Sequence, residues 1–280
     1  MSETRPPKTD WVILPILAHP DAKQRRVLAQ IHQLMRNAFR YAGVNLVRRH
    51  LGCWFVMSRM KAAARRGQSL RQIEAMLRPR FKRVLNESEY YAAQKKRAAN
   101  AHERIKDHLV GEHLLDLGSG PGLIAQTIHE RTGMKVTLAD VIDYSMTHLP
   151  TVIISEGGRI PLEDRSVDTT LIYVVLHHAE DPLRLLDEAA RVTRTRIVIM
   201  EGYVDDEATY LLNCFFDWFL NRIVQGRDIN MPLNFRTTAE WYQIFAERGL
   251  RVGKQELVGI DEPMAPESHV LFVLDKVTES

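Results

Sequence analysis

The sequence predicts an α/β fold, with a mostly parallel sheet whose last strand is antiparallel, preceded by a helical N-terminal region. Through the first hundred positions, apolar residues recur at the 3.6-residue period of helices. From residue 113 onward, short apolar runs alternate with helical patterns, which is typical of a parallel sheet covered on both faces. The last two apolar runs are joined by a loop too short for a crossover, so we expect that pair to be antiparallel.

The balance of basic and acidic residues changes near residue 110, close to where the pattern of apolar residues changes. Although the 280-residue chain has a net formal charge of +3, residues 1–110 contain 23 Lys and Arg against 8 Asp and Glu, whereas the remainder contains 15 against 27. We therefore divide the chain into residues 1–109, a helical and basic region, and residues 110–280, the α/β domain. The asymmetry predicts either packing of the basic region on the acidic domain or an anionic partner, such as nucleic acid or a membrane surface.

Composition excludes several classes of protein. Hydrophobic residues make up 45% of the chain, which is ordinary for a globular protein. Two cysteines, Cys53 and Cys214, are too few for a disulfide framework or a Cys-rich metal site, which favours a reducing compartment and no disulfide partners. Neither a signal-peptide pattern nor an uncharged apolar window of about 18 residues is found, so we expect a cytoplasmic protein.

The helical region is predicted to contain several amphipathic helices. An apolar stripe at helical spacing covers residues 27–39, and capping boxes begin further helices at Ser69 and Asn86. A second stripe, on the helix in between, is formed by Val47, Leu51, Trp54 and Phe55. These basic helices, with Trp54, Phe55 and Met57, also suggest peripheral contact with anionic lipid.

The α/β domain is predicted element by element from its apolar runs and turn residues. Strands are expected at residues 113–117, 135–140, 151–155, 169–176, 196–200, 251–258 and 269–275. Helices are expected at residues 124–131, 182–191 and 206–223, and from a capping box at Thr237 to a stop at Gly249.

A glycine-rich turn follows the first of these strands, in the pattern Asp-x-Gly-x-Gly-x-Gly from Asp116 to Gly122. It lies at the carboxyl end of a strand, where open α/β sheets bind ligands. No Lys follows, which excludes a phosphate-binding loop, and Leu123 stands where the dinucleotide fingerprint needs glycine. Because the Asp116 carboxylate would repel phosphate but accept hydrogen bonds from an ammonium group, a cationic ligand is expected.

This motif resembles the first motif of the class I S-adenosylmethionine (SAM)-dependent methyltransferases, and the similarity extends over residues 85–275. The resemblance implies a seven-stranded Rossmann-like sheet, an enzyme that transfers a methyl group, and SAM as the cofactor. It places Asp116, Gly118, Ser119 and Gly120 against the methionyl part and ribose of SAM.

Three further segments extend the resemblance along the cofactor. Asp140, 24 residues after Asp116, is expected to bind the ribose hydroxyls, and Val141 to pack on the adenine. Glu156 and Gly157, followed by Ile-Pro-Leu, match the segment that contacts the adenine amino group, with Glu where the family has Asp.

The fourth strand is expected to continue into Leu176, His177 and His178, an ending similar to that of many such enzymes. Leu176 is assigned to the cofactor site and His177 to general-base catalysis, with pocket lining as the alternative reading of His177. Neighbours in a strand point to opposite faces, so the two histidines are not expected to share a metal ion.

Substrate contacts are expected from three parts of the chain. These are the helix that closes over SAM in relatives, with its two tyrosines, the paired histidines, and the residues of the substrate wall. They are Tyr90, Tyr91, His177, His178, Phe215, Asn234 and Arg236.

The sequence favours a methyltransferase acting on a small molecule, lipid-like compounds and secondary metabolites included. Two alternatives stay open: an RNA-directed methyltransferase that uses the basic region to hold phosphates, and a non-catalytic SAM-binding scaffold. No RNA-binding module is evident in the basic region, so a nucleic-acid partner is less favoured than a small molecule. The sequence leaves the oligomeric state and a peripheral membrane location open.

Overall fold

A computed structural model describes residues 8–155, 158–229, 231–260 and 262–276. These residues divide into two compact units that interleave along the chain. The helical unit draws on residues 1–93, 204–233 and 260–268, and the sheet unit on residues 94–203, 234–259 and 269–280.

The sheet unit contains seven strands in the order β3-β2-β1-β4-β5-β7-β6. They are β1 (His113–Leu117), β2 (Lys135–Asp140), β3 (Thr151–Ile153), β4 (Val167–Tyr173), β5 (Thr193–Gly202), β6 (Leu250–Gly259) and β7 (His269–Lys276). Strands β1 to β5 pair in parallel, whereas β7 is antiparallel to both β5 and β6. The predicted Rossmann-like sheet with an antiparallel last strand is confirmed.

Strand β1 occupies the centre of the parallel part. Its last residue, Leu117, lies opposite Ala139 on β2 and Ile172 on β4. The carboxyl ends of three strands therefore meet at one edge, which is where the glycine turn begins. The strands are apolar because both faces are covered: Leu115 and Leu117 belong to one buried cluster, and Leu114 belongs to the other.

Three helices lie wholly within the sheet unit: α6 (Leu123–Thr132), α7 (Pro182–Val192) and α9 (Thr238–Glu247). The predicted capping box of α9 is present, since Thr237 accepts from the Glu240 N–H and the Glu240 side chain accepts from the Thr237 N–H. Asp181 caps α7 before a proline at the first helical position, which needs no N–H donor there.

The helical unit contains α1 (Lys8–Ala18), α2 (Ala22–Tyr41), α3 (Leu46–Arg65), α4 (Leu70–Phe81) and α8 (Glu207–Trp218), and α5 (Glu87–Ile105) begins in it. The predicted capping boxes at Ser69 and Asn86 are both formed. The aromatic helix predicted at 206–223 changes at Phe219 into a π-helical turn, Phe219–Val224. Among the described residues, no helix is long and apolar enough to cross a bilayer.

Helix α3 differs from the others in the face that it buries. The stripe read from the sequence is largely exposed: Val47 by 67%, Leu51 by 62% and Trp54 by 64%. The buried face lies opposite and includes Cys53, Val56 and Met60. Met57, which was grouped with Trp54 as a lipid contact, is also buried. The sequence could not choose between the faces because both are apolar.

Candidate functional site

The glycine turn connects β1 to α6 through three left-handed residues. Gly118, Gly120 and Gly122 have φ values of 74°, 52° and 73°. At Gly118 a side chain is also excluded by contact, because a Cβ there would lie 2.4 Å from Cγ1 of Val175. The spacing of the three glycines is therefore required by the backbone, and the turn packs closely on the segment that follows β4.

Ser119 faces the same turn. Its N–H, like that of Gly118, donates to the Ala139 carbonyl, at 3.3 and 2.7 Å. Its Oγ is buried and has no hydrogen-bond partner among the residues that the structure describes. A buried hydroxyl in this position suits a polar ligand group.

Asp140, at the end of β2, reaches the glycine turn. Its Oδ2 accepts from the Gly120 N–H at 2.8 Å, and its Oδ1 accepts from the Val141 N–H at 2.7 Å. The structure thus brings Asp140 to the second glycine of the motif. Val141 is exposed beside it, so an apolar surface is available for a ring to pack on.

Asp116 is the buried acid of the site, with 2% of its surface exposed. Burial, and to a smaller extent the negative charge of Asp140, raise the pKa of its carboxyl to about 7. Two acids at one edge of the sheet therefore repel each other in the free protein. A bound cationic group would offset this repulsion.

The predicted adenine contacts, Glu156 and Gly157, lie outside the described residues. The segment after them is held by α7. Ile160 donates its N–H to Glu188 at 2.7 Å, and Arg191 donates to the carbonyls of Ile160 and Leu162 at 2.7 and 2.9 Å. The sequence analysis gave Arg191 no role, so this anchoring function was missed.

Strand β4 ends at Tyr173, three residues earlier than predicted. Val174 then takes a left-handed conformation, with φ of 62°, and donates its N–H to the Met200 carbonyl at 2.7 Å. Leu176–His178 form a 3₁₀ turn. A β-branched residue at positive φ is strained and persists only where surrounding contacts hold it.

This turn corrects the prediction for the paired histidines. In a strand, the rings of His177 and His178 would point to opposite faces, but their ring centroids lie 4.1 Å apart, at an interplanar angle of 42°. The geometric argument against their sharing a ligand was therefore wrong, because it assumed that β4 continues through them.

His177 is 1% exposed and hydrogen-bonds through Nδ1 to Oε1 of Glu201, which is fully buried at the end of β5. Glu201 also accepts the N–H of Leu176 at 2.7 Å and of Gly202 at 2.8 Å. Burial alone would raise the pKa of Glu201, but His177 and these two N–H groups lower it below its ordinary value. Glu201 is therefore a buried carboxylate that orients the His177 ring.

Sequence reasoning gave Glu201 no role. The signal was available, because a glutamate directly after the apolar run Ile197–Met200 is unusual in a fully buried strand. Its partner could not be identified, since 24 positions separate Glu201 from His177 and the turn after β4 was not foreseen.

Asn234 and Phe235 pack directly on His177. The Phe235 ring stacks on the imidazole, with centroids 4.7 Å apart and an interplanar angle of 19°. Asn234 donates from Nδ2 to the Ala179 carbonyl at 3.0 Å, so its side chain tethers the loop after His178. Arg236 lies over the Trp241 ring, 5.7 Å from its centroid. Its Nε is buried and has no hydrogen-bond partner within the described ranges.

The remaining predicted substrate residues belong to the helical unit. Phe215 is fully buried and packs against the rings of Phe216, Trp218 and Phe219. Tyr90 and Tyr91 are half-buried on α5. Phe215 is thus a core residue of its unit, whereas the two tyrosines retain exposed surface.

A family model of known proteins matches part of the sheet unit. The family model described as a methyltransferase domain aligns with residues 115–198, from β1 into β5. An uncharacterized protein of Methanocaldococcus jannaschii is 28% identical over 149 residues, which cover 53% of this chain and 69% of that protein. An uncharacterized methyltransferase of Mycobacterium sp. (strain JLS) is 34% identical over 90 residues, covering 30% of this chain and 35% of the relative.

The mouse mitochondrial arginine-hydroxylase NDUFAF5 is 26% identical over 106 residues, which cover 36% of this chain and 31% of that protein. The chain thus spans only about a third of the last two relatives. Among solved structures, geranyl diphosphate C-methyltransferase from Streptomyces coelicolor A3(2) aligns with a TM-score of 0.51 and 15% identity, over 68% of this chain and 84% of that chain. This likeness shows a shared fold.

Proposed function

We propose that this chain is a class I SAM-dependent methyltransferase, as the match of residues 115–198 to a methyltransferase-domain family model supports, and that it methylates a small-molecule acceptor whose proton is taken by His177. The observation that carries the proposal is the hydrogen-bonded pair of His177 and Glu201, buried at the end of β4 and β5. His177 comes shortly after Val175 in the chain, and Val175 packs against Gly118 of the glycine turn. The two features are therefore neighbours in one unit.

We assign the cofactor to the residues at the ends of β1 and β2. Asp116 and Asp140 supply carboxylates for the ammonium group and the ribose hydroxyls, and Ser119 supplies its buried hydroxyl. The donor set fits SAM, which has a positive charge and no phosphate. SAM, when bound, supplies an electrophilic methyl group. We further propose Leu176 and Val141 as apolar contacts of the cofactor, and Glu156 and Gly157 as its adenine contacts.

His177 performs the proton chemistry in this proposal. Its Nδ1 donates to the Glu201 carboxylate, so the other ring nitrogen, Nε2, is the basic atom. As the acceptor forms its bond to the methyl group, its proton passes to Nε2. The charge of the resulting imidazolium is then stabilised by Glu201, whose lowered pKa keeps it ionised.

Burial of the base favours a small acceptor over RNA. The Phe235 ring covers one face of His177, and only 1% of the His177 surface is exposed. An acceptor must therefore be small enough to reach a buried ring, and its positioning there can supply much of the rate. We propose Arg236 and His178 as polar contacts of that acceptor.

The test uses SAM labelled with tritium in its methyl group and an extract of the cells that carry this chain. After incubation, the extract is separated into small molecules, RNA and protein. We expect label in the small-molecule fraction with the wild type and little with Glu201→Gln. Label that appears instead in RNA or protein would contradict the proposed acceptor class.

A further inference from the structure

Helix α3 (Leu46–Arg65) carries two opposite apolar faces, and only one of them is used inside the helical unit. Cys53, Val56 and Met60 form the buried face. Large apolar side chains on the other face remain more than 60% exposed; they are Leu46, Val47, Leu51 and Trp54. Clustered exposed apolar side chains are typical of interaction surfaces, so this second face favours a contact outside the unit.

Leu46, Val47 and Leu51 of this face line a groove with a volume of about 1010 Å³. The lining of the groove is mostly apolar and includes three arginines. The lining residues are Asn45, Leu46, Val47, Arg48, Leu51, Gly52, Phe55, Arg80, Arg83 and Val84.

The charge around this groove is mainly positive. Residues 22–83 contain 16 Lys and Arg and a single acid, Glu74, and Glu74 is engaged with Trp218 and Arg78. Of the arginines that line the groove, Arg48 pairs with Glu89. Arg80 and Arg83 have no ion pair with any carboxylate that the structure describes.

We propose that this face of α3, together with Arg80 and Arg83, docks on an anionic phospholipid bilayer. Apolar side chains with an indole among them suit the boundary between headgroups and acyl chains, and flanking arginines suit anionic headgroups. A second copy of this chain would bring two strongly basic surfaces together. RNA would neutralise the arginines but leave Leu51 and Trp54 in water.

The proposal is tested by flotation of the full chain with vesicles, a readout that involves no methyl transfer and so fails or succeeds independently of the proposed function. We expect binding to vesicles of phosphatidylcholine with phosphatidylserine, weakened by added NaCl, and little binding to phosphatidylcholine alone. Leu51→Ser with Trp54→Ser should lower the partition at least about tenfold. Arg80→Gln with Arg83→Gln should lower it by about tenfold as well.

Matched controls separate this face from general effects of charge and exposed apolar surface. Lys23→Gln with Arg26→Gln removes the same charge from α2, and Leu257→Ser removes an exposed leucine from β6. Both controls should bind as the wild type does. A loss of binding in the controls equal to that in the α3 variants would overturn the proposal.

A second measurement does not depend on how well the variants fold. In a Trp11→Phe background, Trp54 is the exposed one of the three remaining tryptophans, because Trp218 and Trp241 are buried. The emission should therefore shift to the blue on anionic vesicles as the Trp54 indole leaves water. An unchanged spectrum would contradict the proposal. Two other results would also contradict it. One is a dimer in sedimentation that becomes a monomer in the Leu51→Ser with Trp54→Ser variant. The other is RNA binding that depends on Arg80 and Arg83 in the absence of vesicle binding.

Discussion

The chain leaves the sheet through the same backbone conformation after β1 and after β4, but the residues at the two turns differ. Each strand turns away through a left-handed residue: Gly118, with φ of 74°, and Val174, with φ of 62°. Glycine adopts this conformation without strain, whereas a β-branched residue does so only under the constraint of its surroundings. The first turn is therefore encoded locally, and the second by tertiary contacts such as the Val174 hydrogen bond to Met200.

The two ends also carry different chemistry in the proposed mechanism. The β1 end presents Asp116 and Ser119, which suit the cofactor, and the β4 end presents His177 on its Glu201 support. Damage at the first end should weaken SAM binding. Damage at the second should slow methyl transfer and leave SAM binding intact.

The largest effect is expected at the β4 end. His177→Asn should slow methyl transfer by ~10²- to 10⁴-fold, because the acceptor's proton loses its base. SAM affinity, measured by calorimetry, should change less than about threefold. His148→Asn, at an exposed histidine of the same unit, is the matched control. A near-normal rate in His177→Asn would assign His177 to pocket lining.

At the β1 end, Asp140→Ala should weaken SAM binding by ~10- to 100-fold, since it removes charged hydrogen bonds to the ribose. Asp143→Ala, in the same loop, serves as the control because Asp143 accepts only from the Ser145 N–H in the described structure. Calorimetry measures both variants. Equal affinity of Asp140→Ala and the wild type would remove Asp140 from the cofactor site.

Asp116 predicts a pH dependence at the same end. Its pKa is about 7 in the free protein, and the ammonium group of SAM favours the ionised form. SAM affinity should therefore fall about tenfold between pH 8 and pH 6, with a proton released on binding in the acidic range. Calorimetry in buffers of different ionisation enthalpy detects that proton. Asp116→Asn should bind weakly with a flat pH profile.

The same raised pKa has a consequence for stability. A carboxyl whose folded pKa exceeds its unfolded value stabilises the fold below the unfolded pKa and loses that contribution as the pH rises toward 7. The ligand-free Asp116→Asn variant should thus melt about 5 °C higher than the wild type at pH 8. The difference should shrink toward pH 5. A lower Tm of Asp116→Asn than of the wild type at pH 8 would contradict the destabilising effect assigned to the buried carboxylate.

The smallest effects compare the two turns directly. Gly118→Ala should destabilise the protein by ~2 kcal/mol or more, because it adds left-handed strain and a contact with Val175. Val174→Gly should stay within about 1 kcal/mol of the wild type, since relief of strain offsets the added freedom of the unfolded chain. Thermal unfolding measures both. Partial rescue of Gly118→Ala by Val175→Ala would locate the clash.

The same contrast explains how much the sequence could predict. The glycine spacing, the acid at Asp140 and the capping boxes at Ser69 and Thr237 are local signals, and each produced the expected element. Helix α3 and the β4 turn depend on distant partners. A pattern with two apolar faces does not say which face is buried, and nothing within Tyr173–His178 indicates the support from Glu201.

The central claim is that the pair of His177 and Glu201 serves methyl transfer and not cofactor binding. The most direct measurement records SAM affinity and tritiated methyl transfer on the same preparations of Glu201→Gln and Asp140→Asn. We predict that Glu201→Gln binds SAM as the wild type does and loses transfer, while Asp140→Asn loses affinity. Transfer at the wild-type rate in Glu201→Gln, or loss of SAM binding in that variant, would contradict the assignment.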